Sequence, residues 1–272
     1  MVSSPMNNAP KAPLAGRVTL VTGSDTGLGL CIVEALAREK SDVVIHGLGP
    51  RDAGEAIAAR IAEETGVRTL FCGADLRNVA EIEAMMAEIN DQIGPVDILV
   101  NNAVVRHFNP IEEFTAEEWD MSLAVNVSAP FHLSRLVVAE MKRRGWGRIV
   151  NLSSIYGQRG VANRIDYVTT KTAMLGMTRG LAIELAQSGV TCNAVSPGTV
   201  PTNSILDKIR NLAVESGVTM AEAESAYLVG RNPTGRFVAT ESVVALVGLI
   251  CSRAGNDING ANLAVDGGWS VA

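Results

Sequence analysis

Short runs dominated by apolar and β-branched residues recur along this 272-residue chain, separated by longer stretches with helical spacing of their apolar residues. The runs lack the strict polar–apolar alternation of a strand with one wet face, so they read as strands covered on both sides. They fall at Arg17–Thr22, Asp42–His46, Val67–Cys72, Val96–Val100, Arg148–Leu152, Val190–Val195 and Asn262–Val265. Helical patterns fill the intervals: Gly27–Lys40, Arg51–Thr65, Asn78–Ile93, about Ala116–Arg144, Asp166–Ser188 and Glu241–Arg253. Strands joined by helices pair in parallel, and right-handed crossovers place helices on both faces. The predicted fold is therefore α/β: a Rossmann-type, doubly wound parallel sheet of about seven strands.

Hydrophobic residues make up 47% of the chain, enough for a large core, and no linker or repeat divides it. One domain is expected from residue 14 to 272, preceded by a flexible Ser-, Asn-, Pro- and Ala-rich tail over 1–13. Residues 201–235 break the strand–helix rhythm with two amphipathic stretches, Ile205–Glu215 and Met220–Gly230. A net charge of −6 argues against a nucleic-acid surface, and Lys142-Arg143-Arg144 reads as a solvated helix end. The longest apolar run, Val243–Cys251, is too short to cross a bilayer, and the first residues lack a secretory pattern. Cys31, Cys72, Cys192 and Cys251 have no metal-ligand spacing, so no metal site is expected. Free thiols fit a reducing cytoplasm.

Thr22-Gly23-Ser24-Asp25-Thr26-Gly27-Leu28-Gly29 lies between the first strand and its helix. Glycine lets backbone approach a pyrophosphate, and a helix N-terminus offers free N–H groups and a favourable dipole. Further residues fall at strand ends, where a doubly wound sheet binds its ligand. Asp75 follows the third strand, with an adenine-contacting carboxylate and a helix-start residue as its two readings. Asn102 follows the fourth, either fixing a turn beside a ribose or serving only as a turn residue. The second strand ends in His46-Gly47-Leu48-Gly49-Pro50-Arg51, without the acid that holds ribose hydroxyls. No basic residue sits in the glycine turn, where Asp25 would repel a phosphate. NAD is the expected cofactor, with NADP the alternative.

Tyr167 and Lys171 are four residues apart and share a helix face; Ser154 lies thirteen residues before Tyr167. An ammonium one turn away stabilises a phenolate, which suits acid–base work on an alcohol or carbonyl. Ser154 is placed to bond the same substrate oxygen. Asn126 is a polar residue within an apolar helical pattern, read either as bonded to the backbone or as holding a proton-relaying water.

Taken jointly, these motifs resemble the short-chain dehydrogenase/reductase family from Leu14 to Trp269. The shared pattern adds Asn101-Asn102-Ala103 and Pro197-Gly198 followed by Thr202. The resemblance implies a catalytic tetrad of Asn126, Ser154, Tyr167 and Lys171. It implies cofactor contacts from Gly23, Asp25, Thr26, Gly27, Leu28 and Leu48, and from Asp75, Leu76, Asn102 and Ala103. Tyr167, Lys171, Pro197, Gly198, Val200 and Thr202 would border the nicotinamide. Val104 departs from the glycine usual after Asn-Asn-Ala. The family also implies a homotetramer and a substrate lid over about 201–235.

Within the family the chain most resembles D-3-hydroxybutyrate dehydrogenases, through His46-Gly47-Leu48-Gly49, Arg106-His107, Ile111–Phe114 and Val265–Trp269. Such enzymes are similar in preferring NAD. Substrate-facing positions differ: Arg106, Tyr156, Arg164, Thr199 and Lys208 stand where those enzymes have glutamine, histidine, lysine, tryptophan and glutamine. Together with Ser154 and Tyr167 they are the expected substrate residues, and the three cations suit a carboxylate. The expected reaction is hydride transfer on a short 3-hydroxy acid. An NADPH-dependent 3-oxoacyl or general carbonyl reductase, a polyol dehydrogenase and a non-catalytic dinucleotide sensor are the competing readings.

Overall fold

The computed structural model describes residues 12–272; residues 1–11 of the expected tail lie outside the described residues. The strands are β1 (Val18–Val21), β2 (Asp42–His46), β3 (Thr69–Cys72), β4 (Ile98–Asn101), β5 (Gly147–Leu152), β6 (Val190–Pro197) and β7 (Asn262–Val265). They form one parallel sheet in the order β3-β2-β1-β4-β5-β6-β7. The chain reverses direction across the sheet between β1 and β4, which opens a crevice at the carboxyl ends of those strands.

Helices α1 (Gly27–Arg38), α2 (Arg51–Thr65) and α3 (Val79–Gln92) follow β1, β2 and β3. Next come α4 (Ala116–Leu123), α5 (Ala129–Arg144) and α6 (Ile165–Glu184), and later α9 (Thr240–Cys251). Successive strand side chains point to opposite faces, so each strand feeds two cores. Val43 and Ile45 of β2 pack with Ile32, Val33 and Leu36 of α1 and with Val243 and Val247 of α9. Val44, between them, joins Ile82 and Ile89 of α3 and Leu133 and Val137 of α5. This two-sided burial is why the strands carry no alternation. Observed boundaries lie within a few residues of the expected ones; β3, for instance, starts at Thr69 rather than Val67.

One helix differs from expectation. The single helix foreseen over Ala116–Arg144 is interrupted by a π-helical turn at Ala124–Ser128, where the N–H of Ala129 donates to the carbonyl of Ala124. Pro130 explains the break: it has no N–H to offer the carbonyl four residues back, that of Asn126, and its ring crowds that carbonyl. A π turn adds a residue to the coil and swings one side chain out of register. Asn126 lies at the centre of this turn.

The irregular segment holds α7 (Asn203–Ser216) and α8 (Met220–Leu228), which bury a small core of Ile209, Ala213 and Ala223. No described helix is long and apolar enough to cross a membrane.

Candidate active site

The glycine turn is fixed from three sides. Ser24 Oγ donates to the Val21 carbonyl at 2.7 Å and accepts the His46 N–H at 3.0 Å. His46 Nδ1 accepts the Gly23 N–H at 3.1 Å, and its Nε2–H donates to the Ala74 carbonyl at 2.9 Å. This pairing selects the neutral Nε2–H tautomer, and burial lowers the His46 pKa, keeping the ring uncharged. Asn102 Nδ2 donates to the carbonyls of Thr22 and Gly23 at 2.9 and 2.8 Å. Thr22 Oγ1 accepts the N–H groups of Asn102 and Ala103, each at 3.0 Å. Asn102 therefore braces the turn onto β4.

A cavity of ≈ 750 Å³ runs along the carboxyl ends of the strands. Gly23, Asp25, Thr26, Gly27 and Leu28 line one end with Leu48, Asp75 and Leu76. Asn102, Ala103 and Val104 line the middle; Ser154, Tyr167, Lys171, Pro197, Gly198, Val200 and Thr202 line the other end with Arg106. The shape and chemistry fit a dinucleotide. A β-carbon on Gly29 would fall 2.2 Å from the Gly23 carbonyl oxygen, so the turn closes only with glycine there, leaving the α1 N-terminus open to the cavity. Thr202 Oγ1 is buried without a partner, as a group awaiting a ligand would be. Asp75 pairs with Arg77, Oδ2 to Nη2 at 2.5 Å, and this contact lowers the Asp75 pKa and keeps it ionised.

Asp25 does more than sit in the turn. Its carboxylate occupies the space over Gly47, where a β-carbon would fall 2.1 Å from Oδ2. The end of β2 thus has a negative charge beside it, supplied by the turn after β1 rather than by β2 itself.

At the other end, Ser154 is 7% exposed and its Oγ accepts the Tyr156 N–H at 3.2 Å, capping a short helical turn. Tyr167 and Lys171 project from one face of α6. Lys171 Nζ donates to the Leu152 carbonyl at 2.5 Å and lies 5.6 Å from the Tyr167 ring centroid. Burial, and then the charge of Arg106, lowers the Lys171 pKa from 10.5 to about 7. The α6 start is held by Asp166, which is fully buried. Its Oδ1 accepts the Tyr167 N–H at 2.6 Å, and its Oδ2 accepts from Ser122 Oγ at 2.8 Å and from the His107 N–H at 3.2 Å.

Asn126 does not line the cavity; it bonds the backbone of Val105 and, through Nδ2, Thr170 Oγ1 at 3.2 Å. Thr199 is buried under Asn232, whose Oδ1 accepts its N–H and whose Nδ2 donates to its carbonyl, and it too lies outside the cavity wall. Tyr156 stands edge-on to Tyr167 at 6.3 Å and to Trp269 at 5.5 Å. The Arg164 guanidinium lies 4.2 Å from the Tyr167 centroid, and Lys208 Nζ lies 3.9 Å from the centroid of Phe108; like Tyr156, neither residue lines this cavity. Arg77, His46, Met121, Val125 and Ser153 also line it without having been foreseen as contacts, as do Gly47, Val105, Leu152 and, from the start of α7, Asn203, Ser204 and Ile205. Arg77 and Ser153 each neighbour a quoted motif, which was the available signal. Among the described residues no cluster of His, Cys, Asp and Glu is arranged to hold a metal.

Residues 17–213 match the short chain dehydrogenase family model. The chain is 38% identical to the D-beta-hydroxybutyrate dehydrogenase of Cupriavidus necator and 35% to that of Rhizobium meliloti, over 94% of this chain and 98% and 99% of those proteins. It is 34% identical to a 3-oxoacyl-[acyl-carrier-protein] reductase of Aquifex aeolicus, over 94% of this chain and 98% of that one. The fold superposes on L-sorbose reductase from Gluconobacter frateurii, complexed with NADPH and L-sorbose, with a TM-score of 0.91 at 27% identity, covering 97% of this chain and 100% of that one. With the glycine turn, the crevice at the strand ends and the Ser154–Tyr167–Lys171 group, these matches show that the chain belongs to the short-chain dehydrogenase family and is an NAD(P)-dependent oxidoreductase acting on CH–OH groups.

Proposed function

We propose that this enzyme is an NAD-dependent dehydrogenase of a short 3-hydroxy acid. The observation that carries the reading is the position of Arg164 against the ring of Tyr167, a residue of the cavity wall on which Arg106 also stands. A carboxylate two bonds from a carbinol carbon would reach a guanidinium while its hydroxyl meets the phenol. A neutral polyol has no use for these cations, which disfavours a sugar alcohol.

Tyr167 takes or returns the hydroxyl proton, and Ser154 Oγ bonds the same oxygen. Lys171, fixed to the Leu152 carbonyl with its pKa lowered to about 7, sets one turn below the phenol an amine that bears charge in its protonated form. A bound nicotinamide supplies or accepts the hydride. Asn126 positions the loop after β4 through Val105 and meets α6 at Thr170. Cofactor contacts follow the cavity: Asp75, Leu76 and Leu48 at the adenine end, and Pro197, Gly198, Val200 and Thr202 at the nicotinamide end. Asp25 over Gly47 would face a ribose phosphate with a like charge, which favours NAD over NADP. Tyr156 flanks Tyr167 in the substrate region, and α7 and α8 form the lid. A cytoplasmic homotetramer, each subunit one domain over 14–272, completes the reading.

The test is oxidation of D-3-hydroxybutyrate with NAD and with NADP, followed by absorbance of the reduced cofactor. Turnover with NAD, lost in Tyr167→Phe by a factor of 10² or more, is the expected result. Reduction of acyl thioesters with NADPH, without oxidation of any hydroxy acid, would replace this reading with a 3-oxoacyl reductase. Bound cofactor with no turnover across a panel of alcohols and acids would indicate a sensor.

A further inference from the structure

Three cations from three separate segments converge beside Tyr167. Arg106 comes from the loop after β4 and lines the cavity. Arg164 immediately precedes α6; its guanidinium carbon lies 4.2 Å from the Tyr167 centroid and 4.4 Å from that of Phe108. Lys208 comes from α7 and sets its Nζ 3.9 Å from the same Phe108 ring. Among the described residues none of the three forms an ion pair, although twelve arginine–carboxylate pairs exist elsewhere in the structure. Arg164 Nε and Nη2 are moreover buried with no acceptor at all.

The carboxylate that faces this group, Asp166, is already committed to Ser122, His107 and the Tyr167 N–H. The other neighbours that titrate are the phenols of Tyr156 and Tyr167 and the Arg231 guanidinium, itself a cation. Like charges gathered without counterions repel one another, and buried donors without acceptors forfeit their bonds to water. Burial lowers the Arg164 pKa, and Arg106 adds to that; Lys208 is lowered by burial, then by Arg164, Arg106 and Arg231. Of the three only Arg106 lines the cleft itself, and only Arg164, against the Tyr167 ring of its wall, has buried donors without acceptors; unpaired charge gathered at the edge of a cleft in this way marks a ligand site. A single carboxylate fills one guanidinium fork and leaves the other cations without partners.

We infer that the physiological substrate is a hydroxy acid bearing a second anionic group, the first group taken by Arg164 and the second by Arg106 with Lys208. This rests on the hydroxy-acid reading above and goes beyond hydroxybutyrate, which carries one carboxylate. The second group is a carboxylate or a phosphate ester; both offer oxygen forks to the same cations.

The experiment compares kcat/KM, with NAD and with NADP, for 3-hydroxybutyrate, 3-hydroxyglutarate, uncharged-tail 3-hydroxyhexanoate, and the 4-phosphate ester of 3,4-dihydroxybutyrate. The expected result is a preference of about tenfold or more for a dianion over 3-hydroxyhexanoate. Whichever dianion is preferred identifies the second group. Lys208→Met, on the exposed face of α7, and Arg106→Met should each shrink that preference at least about threefold; as a ratio within one protein, it is insensitive to partial misfolding. Dianions turned over no better than 3-hydroxyhexanoate, with 3-hydroxybutyrate still oxidised, would overturn this inference and leave the hydroxy-acid reading standing. Oxidation of neutral secondary alcohols alone would sink both.

Discussion

Asn126 meets the backbone of Val105 with both ends of its amide: Oδ1 accepts the N–H at 2.8 Å and Nδ2 donates to the carbonyl at 2.9 Å. The π turn that presents it and the loop that bears Arg106 are therefore held by one side chain. Asn126→Asp would place a charged oxygen against the Val105 carbonyl in place of a donor. The expected loss of stability is on the order of 1–3 kcal/mol, read by urea denaturation, with turnover falling as the loop shifts. An unchanged midpoint and rate would show that the double bond does not hold the loop.

His46 gives the enzyme a specific acid sensitivity. Its pKa is lowered by burial, so between that value and the ordinary 6.5 the unfolded chain binds the proton that the folded chain refuses. Stability is then complete above pH 6.5 and falls as pH drops below it. Protonation also sets an N–H against the Gly23 N–H, releasing the glycine turn. His46→Gln is expected to flatten the stability slope below pH 6.5, measured by thermal melts, and to weaken cofactor binding at neutral pH.

Lys171 acts in the alkaline range. Its folded pKa is lowered to about 7 from 10.5, so between these values the unfolded chain carries more protons and stability rises with pH. The comparison is with Lys171→Met, which keeps the stem and removes the titration. Relative to that variant, the parent should gain melting temperature from pH 7 to 10. A constant difference would place the amine in a wetter site than the structure gives it.

Asp25 should set the choice between cofactors. Removing its charge from the space over Gly47, as in Asp25→Ser, is expected to move the NADP/NAD ratio of kcat/KM towards NADP by about tenfold. A ratio that does not move would assign the selection to other residues.

Much of this was legible in the chain, for identifiable reasons. Strands buried on both faces must be apolar throughout, so the parallel sheet was written into Val43, Val44 and Ile45 alike. The glycine turn and the Tyr167–Lys171 spacing are local patterns, visible without a third dimension. What stayed hidden joins distant segments. The π turn was masked because apolar spacing continues through it, and only Pro130 betrays it. Asp25 reaches Gly47 across twenty-two residues, and Asp166 reaches Ser122 and His107 across 44 and 59. Thr199 looked available from its place after Pro197-Gly198, yet its backbone is bound on both sides by Asn232.

The strand order has a consequence for how the molecule is made. β1 is synthesised first but lies between β2 and β4, so one of its edges has no partner until residues 98–101 leave the ribosome. Over that interval a nascent chain exposes an unpaired apolar strand, the kind of surface that recruits chaperones or other nascent chains. Slowing translation before β4 would lengthen the exposure, so aggregation during synthesis should track the codons upstream of Ile98 more closely than those downstream of β6.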